Sequence, residues 1–351
     1  MKKYIHGGDI YRHPGVLDFS VNCNPYGIPN GVKKAVTAAV EQAECYPDVD
    51  CMRLRNAIGQ TENISPEQII CGNGAADLIF ALVLALKPKK ALLAAPTFAE
   101  YQQALAAVGC EVCYVRLKEE NGFVPDENFL DQICVGTDLV FFCNPNNPTG
   151  VAAKREYVRK IAVKCQMCAA FLVVDECFID FLEQPEIYTM KGFLKEFPSM
   201  FLLKAFTKKY AMPGLRLGYG LCSDEQFLET MAAVMQPWNV STLAQEAGIA
   251  ALKETAYVRD SLEKIRSQRK NLIEGLKQLG CKVYASEANY IFFQGPERLS
   301  EKCLEHGILI RDCSNYEGLS KGFYRIAVRR PEENRIFLET LQKIAETKGG
   351  E

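Results

Sequence analysis

Seven short apolar segments, separated by stretches with helical periodicity, occupy the sequence between residues 65 and 222. The order strand, helix, strand predicts an α/β fold in which helices cover a mostly parallel sheet on both faces. Sheets of this kind bind ligands beyond the carboxyl ends of their strands, and the polar residues discussed below follow these segments. The predicted strands are Gln68–Gly72, Ala91–Ala95, Glu111–Leu117, Asp138–Cys143, Ala170–Asp175, Met200–Ala205 and Arg216–Cys222. The predicted helices between them include Ala75–Leu86, Phe98–Val108 and Lys154–Cys168.

The pattern changes at Gln236–Asn239, after which longer helices and shorter strands alternate. We therefore expect an N-terminal arm (residues 1–31) that packs on a small domain and on the substrate site, a large domain (residues 32–235) and a small C-terminal α+β domain (residues 236–351). The elements predicted for the small domain are helices Ser241–Leu252, Ala256–Leu279, Glu297–His306 and Glu332–Thr347, and strands Lys282–Ala285, Tyr290–Gln294, Ile308–Arg311 and Phe323–Arg329.

The composition excludes several classes of function. A formal net charge of −2 over 351 residues, with scattered basic side chains, offers no surface for nucleic acid or membrane, so a small molecule is the expected partner. No apolar run approaches the roughly 20 residues of a membrane span, and the N-terminus has no signal-peptide pattern. The 15 cysteines lie largely in apolar segments and indicate a reducing compartment, so we expect a cytoplasmic protein. The two Cys-x-x-Cys pairs are attributed to chance, and no metal site is expected.

Two turns at strand ends could bind a ligand. Gly72–Asp77 follows a strand and opens a helix, so its free amides and the helix dipole could receive a phosphate group. Asn144–Gly150 forms a rigid turn rich in proline and asparagine, which could direct an amide donor into a cleft. Each segment is also compatible with a purely structural turn.

Two charged positions suggest a cofactor. Asp175 ends an apolar run, so its carboxylate would be desolvated unless a cation, such as a pyridinium nitrogen, pairs with it. Either Lys208 or Lys209 could form a Schiff base with an aldehyde, and Arg216, which follows a Pro-Gly turn, could act as a neighbouring cation or hold a phosphate. A helix-capping aspartate and a solvated pair of lysines are the structural alternatives.

In their order and spacing, these four segments resemble those of the fold-type-I pyridoxal-phosphate enzymes, and the whole chain resembles the histidinol-phosphate aminotransferase group. The resemblance implies that Lys208 binds the cofactor aldehyde, Asp175 pairs with the pyridinium nitrogen, and Asn147 donates to the phenolic oxygen. It also implies that Tyr101 stacks on the cofactor ring. The remaining implied cofactor contacts are Tyr46, Gly74, Ala75, Ala76, Phe178, Thr207 and Arg216, with Tyr46 reaching the phosphate across a homodimer interface.

Several local features resemble the threonine-phosphate decarboxylase branch of this group, which serves cobalamin biosynthesis. Phe178, for example, stands where the aminotransferases of the group usually have tyrosine. Ala205 is instead a departure from the family pattern, because many relatives have a serine there that donates to the cofactor phosphate. By this resemblance Arg325 takes the α-carboxylate and Arg311 the substrate phosphate, and their spacing places them at the ends of adjacent strands. Further implied substrate contacts are His6, Gly8 and Asn22.

The resemblance implies decarboxylation of L-threonine O-3-phosphate to (R)-1-amino-2-propanol O-2-phosphate and carbon dioxide, with Lys208 as proton donor. A histidinol-phosphate or related aminotransferase is the alternative, because it shares the cofactor, the lysine and a phosphorylated amine substrate. A non-catalytic protein that binds pyridoxal phosphate is a third possibility, suggested by Ala205 and the many cysteines.

Overall fold

The computed structural model, which describes residues 7–348, contains thirteen strands in three sheets. The strands are β1 (Leu17–Asp18), β2 (Ile69–Gly72), β3 (Lys90–Ala95), β4 (Glu111–Arg116), β5 (Leu139–Cys143), β6 (Phe171–Asp175), β7 (Met200–Ala205), β8 (Gly218–Leu221), β9 (Lys282–Val283), β10 (Tyr290–Gln294), β11 (Ile308–Leu309), β12 (Arg311–Asp312) and β13 (Phe323–Ala327).

Twelve α-helices accompany these strands within the described residues. The helices are α1 (Asn30–Ala39), α2 (Met52–Glu62), α3 (Ala75–Leu86), α4 (Ala99–Ala107), α5 (Glu127–Asp131), α6 (Arg155–Met167), α7 (Phe206–Lys209), α8 (Glu225–Val234), α9 (Thr242–Ala251), α10 (Thr255–Gln278), α11 (Leu299–Glu305) and α12 (Pro331–Lys348).

The large sheet has the strand order β2-β8-β7-β6-β5-β3-β4, which confirms the predicted seven-stranded, mostly parallel sheet. Strands β3 to β7 pair in parallel, whereas β8 runs antiparallel to both β7 and β2. The carboxyl ends of β5, β6 and β7 therefore lie side by side at one edge. That edge is where the polar turns predicted from the sequence meet.

Both faces of the large sheet are buried, as the uninterrupted apolar runs predict. Alternate residues of β5 enter different cores: Val140 and Phe142 pack with α2, α6 and α9, whereas Leu139 and Phe141 pack with α3, α4 and α8. Helices on both faces thus fix the sheet, and the loops at its carboxyl edge are positioned by a rigid base.

A separate antiparallel sheet, β12-β13-β10-β9, forms the C-terminal part and packs on α10 and α12. The segment predicted as one strand over Ile308–Arg311 is divided: β11 pairs in parallel with β1 of the N-terminal segment, whereas β12 pairs with β13. The division lets residues 17–18 form a separate two-stranded sheet with β11, while Arg311 pairs with Arg325 of β13. The periodicity of the sequence does not predict this break, because the apolar run Ile308–Ile310 continues directly into Arg311.

The cysteines are all free thiols; Cys71 in β2 and Cys143 in β5 are buried among apolar side chains, whereas Cys113 in β4 is only partly buried. Among residues 7–348, none of the helices combines the length and the apolar composition that a membrane crossing needs.

Candidate active site

A cavity of about 350 Å³ opens at the carboxyl edge of the large sheet, between that sheet, the N-terminal segment and the C-terminal sheet. Asp175 ends β6, Asn147 lies in the turn after β5, and Lys208 lies on the short helix α7 after β7. All three side chains line the cavity, as do Arg311 and Arg325 from the C-terminal sheet. The fold thus brings together residues that are far apart in sequence.

Asp175 lies at the floor of the cavity and is 5% exposed. Its Oδ2 accepts a hydrogen bond from Tyr101 Oη at 2.5 Å, and its Oδ1 accepts one from the Cys177 amide at 2.9 Å. Burial raises the pKa of Asp175, although hydrogen bonds from Cys177 and Tyr101 oppose that rise. A cation placed against this carboxylate would favour its ionised form, which is the property that a pyridinium partner requires.

Tyr101 lies behind Asp175 rather than on the cavity wall. It is fully buried, and its ring stacks on Phe141 with the centroids 4.6 Å apart. The aromatic side chain that lines the cavity at this point is Phe98, three residues earlier, immediately before α4. This geometry corrects the expected stacking role of Tyr101, which instead supports the Asp175 carboxylate. The helix that begins at residue 99 turns Tyr101 inward, towards the sheet.

The two adjacent lysines are directed differently. Lys209 Nζ lies 3.0 Å from Asp180 Oδ2, an ion pair that raises the pKa of Lys209 against the effect of burial. Lys208 instead lines the cavity, with its Nζ 5.7 Å from the centre of the Phe178 ring. Geometry therefore supports the choice of Lys208 as the reactive amine, a choice that the sequence could make only by resemblance.

Arg325 is held rigidly at the cavity wall and is 6% exposed. Its guanidinium donates to Asn147 Oδ1 and, at 2.8 Å, to the Ser20 carbonyl. In the amide orientation that satisfies both groups, Asn22 also accepts from Arg325 Nε at 3.2 Å. The bond from Arg325 fixes the orientation of the Asn147 amide, whose NH2 group makes no hydrogen bond within the described residues. The NH2 group of Asn147 is thus left to donate a hydrogen bond to a ligand.

Arg311 lies directly opposite Arg325 in the β12–β13 register. Its Nη2 donates to Asn315 Oδ1 at 2.9 Å, and its guanidinium lies over the Tyr316 ring at 5.1 Å. Both arginines are almost completely buried, so two cationic groups share one wall of the cavity. Two guanidinium groups on one wall make the local potential positive, which favours a ligand with two anionic groups.

A phosphate-sized cradle lies at the start of α3. Ala75 and Ala76 line the cavity with the first amides of this 12-residue helix, and Arg216 and Thr207 lie on the same wall. Gly74 has a φ of +86°, and a Cβ atom there would lie only 2.5 Å from Arg216 Nη2. The guanidinium therefore packs directly over the glycine, beside the helix N-terminus, where an anion is stabilised.

Two expected contacts lie elsewhere, and a third falls outside the part of the chain that the structure describes. Tyr46 is 79% exposed and stacks on Trp238 with the centroids 4.5 Å apart, so within one chain it does not reach the cavity. Gly8 is not on the cavity wall, but its amide donates to Ser20 Oγ at 2.7 Å and its neighbour Gly7 lines the cavity. His6 lies outside the described residues.

Several cavity residues were not anticipated from the sequence. Cys143 and Cys177 flank Asp175, and burial raises the pKa of both thiols, so both are held in the neutral form. Glu100 and Tyr316 complete the wall near Arg311. Position at a strand end could have indicated Cys143 and Cys177, but no motif marks the other two.

A buried ionic network lies on the other side of the same strand ends. Lys204 Nζ lies 3.4 Å from Glu62 and 3.8 Å from Glu176, and Tyr219 Oη donates to Glu62 at 2.5 Å. Burial acts to raise the pKa of Glu62, but the charge of Lys204 and hydrogen bonds from Lys191 and Tyr219 outweigh it and lower the pKa to about 2. Because neighbouring residues point to opposite faces, this network fixes the strands without entering the cavity.

Comparison with known proteins agrees with this geometry. The family model "Aminotransferase class I and II" matches residues 14–341. The chain is 36% identical to threonine-phosphate decarboxylase of Salmonella typhimurium over 97% of its own length and 96% of that protein. Its fold superposes on histidinol-phosphate aminotransferase from Clostridium acetobutylicum with a TM-score of 0.88 at 30% identity, covering 95% of this chain and 100% of that one. L-threonine-O-3-phosphate decarboxylase from Porphyromonas gingivalis gives a TM-score of 0.82 at 26% identity, covering 93% and 99%.

The chain therefore belongs to the class I and II aminotransferase family. These comparisons confirm the predicted fold type I and the resemblance to the histidinol-phosphate aminotransferase group, including its threonine-phosphate decarboxylase branch. The relatives just named differ in the reaction stated by their names, so the activity of this chain depends on the chemistry of its own cavity.

Proposed function

We propose that this protein is a pyridoxal-phosphate-dependent carboxy-lyase that converts L-threonine O-3-phosphate to (R)-1-amino-2-propanol O-2-phosphate and carbon dioxide, for the aminopropanol arm of cobalamin. The observation that carries the proposal is the pair of buried guanidinium groups of Arg311 and Arg325, in register on one wall of a cavity that also contains Lys208. Two cations suit a substrate with a carboxylate and a phosphate. The identity of 36% to a threonine-phosphate decarboxylase supports the same reaction.

The residues of the cavity fit pyridoxal phosphate. Gly74 leaves room for Arg216 beside the amides of α3, which suits the phosphate group, and the buried carboxylate of Asp175 suits the pyridinium nitrogen. The NH2 group of Asn147, directed by Arg325, suits the phenolic oxygen. When bound, this cofactor supplies an electron sink for the bond that breaks at the substrate Cα.

The side chains of the cavity account for binding, orientation and proton transfer. Arg325 would hold the α-carboxylate in one orientation, and Arg311 would hold the phosphate at the far end of the substrate. Carbon dioxide leaves when the bond between Cα and the carboxyl carbon breaks, and Lys208 then returns a proton to Cα. Binding energy from the remote phosphate would serve to hold the departing carboxylate in the reactive orientation.

Release of carbon dioxide tests the proposed reaction. Purified protein with bound cofactor should release it from L-threonine O-3-phosphate without an oxo-acid co-substrate. Replacement of Arg311 by alanine should lower kcat as well as raise KM, because the phosphate contact orients the carboxylate. Arg335→Ala, which changes an exposed arginine on α12, is the control and should leave both constants unchanged. An Arg311→Ala effect on KM alone would refute the orienting role.

An aminotransferase acting on histidinol phosphate or a related amine is the second candidate, favoured by the TM-score of 0.88 to such an enzyme. It requires an amino-group acceptor, whereas the lyase does not. Conversion of histidinol phosphate only in the presence of 2-oxoglutarate, with no carbon dioxide from threonine phosphate, would support this candidate over the first. A protein that binds the cofactor but changes neither substrate would be non-catalytic.

We also propose a cytoplasmic homodimer with the three parts 1–31, 32–235 and 236–351. Fifteen free thiols support a reducing compartment, and the exposed Tyr46–Trp238 pair supports an interface through which Tyr46 reaches the neighbouring site. Sedimentation equilibrium tests the dimer. Mixing inactive Lys208→Ala and Tyr46→Ala subunits should then restore one intact site per mixed dimer, whereas no recovery would place Tyr46 in its own subunit's site.

A further inference from the structure

Asn24 connects the N-terminal segment to the helix that carries the reactive lysine. Its amide donates to the Lys208 carbonyl at 2.9 Å, and its Nδ2 donates to the Lys209 carbonyl at 3.0 Å and to Ser261 Oγ at 2.8 Å. Its Oδ1 accepts from the Tyr26 amide at 3.1 Å. Asn24 is 3% exposed, and both hydrogens of its NH2 group and its Oδ1 are used.

These bonds add to the few that the end of α7 makes with the chain that follows it, such as the bond from the Ala211 amide to the Lys208 carbonyl at 3.4 Å. The helix α7 has only four residues, so its last carbonyls need partners outside the helix. Asn24 supplies a partner to each of the last two residues. The position of the Lys208 backbone is therefore set in part by the N-terminal segment and, through Ser261, by α10.

The same segment also holds the arginine on the opposite side of the cavity. The Ser20 carbonyl accepts from Arg325 at 2.8 Å, and Asn22 accepts from Arg325 Nε at 3.2 Å in its satisfied orientation. Residues 20–24 thus form a short strap between Arg325 and Lys208. The length of this strap therefore sets the distance between Arg325, which is proposed to bind the carboxylate, and the Lys208 amine, which is proposed to deliver the proton.

We propose that Asn24 is a positioning residue that sets where the Lys208 amine delivers its proton. This inference rests on the proposed decarboxylation. With the strap intact, the ammonium of Lys208 protonates Cα after carbon dioxide has left. If α7 shifted, Lys208 would no longer direct its proton to Cα, and the bound cofactor would be open to conversion into pyridoxamine phosphate, with water supplying the oxygen of the aldehyde that would replace the amine product. The strap therefore favours the amine product and protects the cofactor.

The test compares three variants, each with bound cofactor. Asn24→Asp keeps the shape of the side chain but replaces the NH2 donor by an oxygen that faces the Lys209 carbonyl. Ser261→Ala removes only the bond to α10. Tyr257→Phe is the matched control, because its hydroxyl ties the same segment to the same helix, through the Gly27 carbonyl at 2.5 Å, but does not contact α7.

We expect Asn24→Asp to lower kcat per bound cofactor about tenfold, since the loss of one or two hydrogen bonds of about 1 kcal/mol each corresponds to this factor. KM should stay within about threefold, and the ratio of pyridoxamine phosphate to carbon dioxide should rise about tenfold. Ser261→Ala should shift the ratio in the same direction by a smaller factor, and Tyr257→Phe should leave it unchanged. A merely structural role would lower the melting temperature without changing the ratio.

An unchanged ratio in Asn24→Asp would overturn the inference; if that variant does not fold, an unchanged ratio in Ser261→Ala would do so. A second measurement separates this failure from failure of the proposed function. If the native protein releases no carbon dioxide, the pH titration of the visible absorbance of the bound cofactor still reports the surroundings of Lys208. A shifted midpoint in Asn24→Asp but not in Tyr257→Phe supports the positioning role, and identical midpoints exclude it.

Discussion

Replacement of Gly74 by alanine should weaken cofactor binding by displacing Arg216. A methyl group at position 74 would lie 2.5 Å from Arg216 Nη2 and 3.0 Å from its Cζ. Ordinary contact needs about 3.5 Å, so the guanidinium must move by about 1 Å. A hydrogen bond to a charged group contributes about 1.5–3 kcal/mol, and its loss should raise the Kd for pyridoxal phosphate about 10- to 150-fold.

The backbone at Gly74, with φ +86°, adds a cost of about 1–3 kcal/mol to folding when a side chain is introduced. Gly136→Ala separates this cost from the displacement, because Gly136 has a φ of +91° and open space around it. Absorbance titration of cofactor-free protein should show weaker binding for Gly74→Ala and native binding for Gly136→Ala. In an Arg216→Ala background, Gly74→Ala should raise the Kd for pyridoxal phosphate by less than about threefold. If Gly74→Ala weakened cofactor binding equally in the native protein and in Arg216→Ala, displacement of Arg216 would be refuted as the cause.

Three further predictions concern the residues around the cavity. Borohydride reduction followed by peptide mass spectrometry should place the cofactor on Lys208; the attachment should survive Lys209→Met and be lost in Lys208→Met, and the reverse result would contradict the assignment. Ala205→Ser should tighten cofactor binding about tenfold by adding a donor to the phosphate, and unchanged affinity in the same titration would show that the hydroxyl does not reach it. Because the folded pKa of Glu62 is about 2 against an ordinary 4.5, its contribution to stability, about 3 kcal/mol, is present above about pH 4.5 and lost as the pH falls towards 2. Urea unfolding across this range should show a smaller acid loss for Glu62→Gln than for the native protein, and equal losses would contradict the lowered pKa.

The central part of the fold could be predicted from sequence because each buried strand carries its signal locally. The run that ends at Asp175 is apolar on both faces and stops at a charge, which marks both a central strand and its carboxyl end. The facing arginines could be predicted for a similar reason: Arg311 and Arg325 lie in neighbouring strand-like segments. The antiparallel direction of β8 could not be predicted, since direction depends on the path of the chain rather than on periodicity.

The roles of adjacent or nearby residues were harder to predict, because they depend on partners that are distant in sequence. Nothing local distinguishes Lys208 from Lys209; the difference arises because Asp180, after β6, meets one of them. Similarly, Phe98 and Tyr101 are both aromatic, and only the start of α4 decides which of them faces the cavity.

Hydrogen-bond donors and acceptors in this site are assigned by contacts between distant segments. The Asn147 turn is recognisable in sequence, but its amide could point either way until Arg325, from another sheet, takes the oxygen and leaves the NH2 group for a ligand. Arg325 is in turn held by the strap at residues 20–24, whose other end supports Lys208. Arg325, the group proposed to orient a carboxylate, and Lys208, the group proposed to transfer a proton, are therefore fixed relative to each other by the same few residues. This mutual dependence is why the strap, although distant in sequence from Lys208 and Arg325, bears on the position of both.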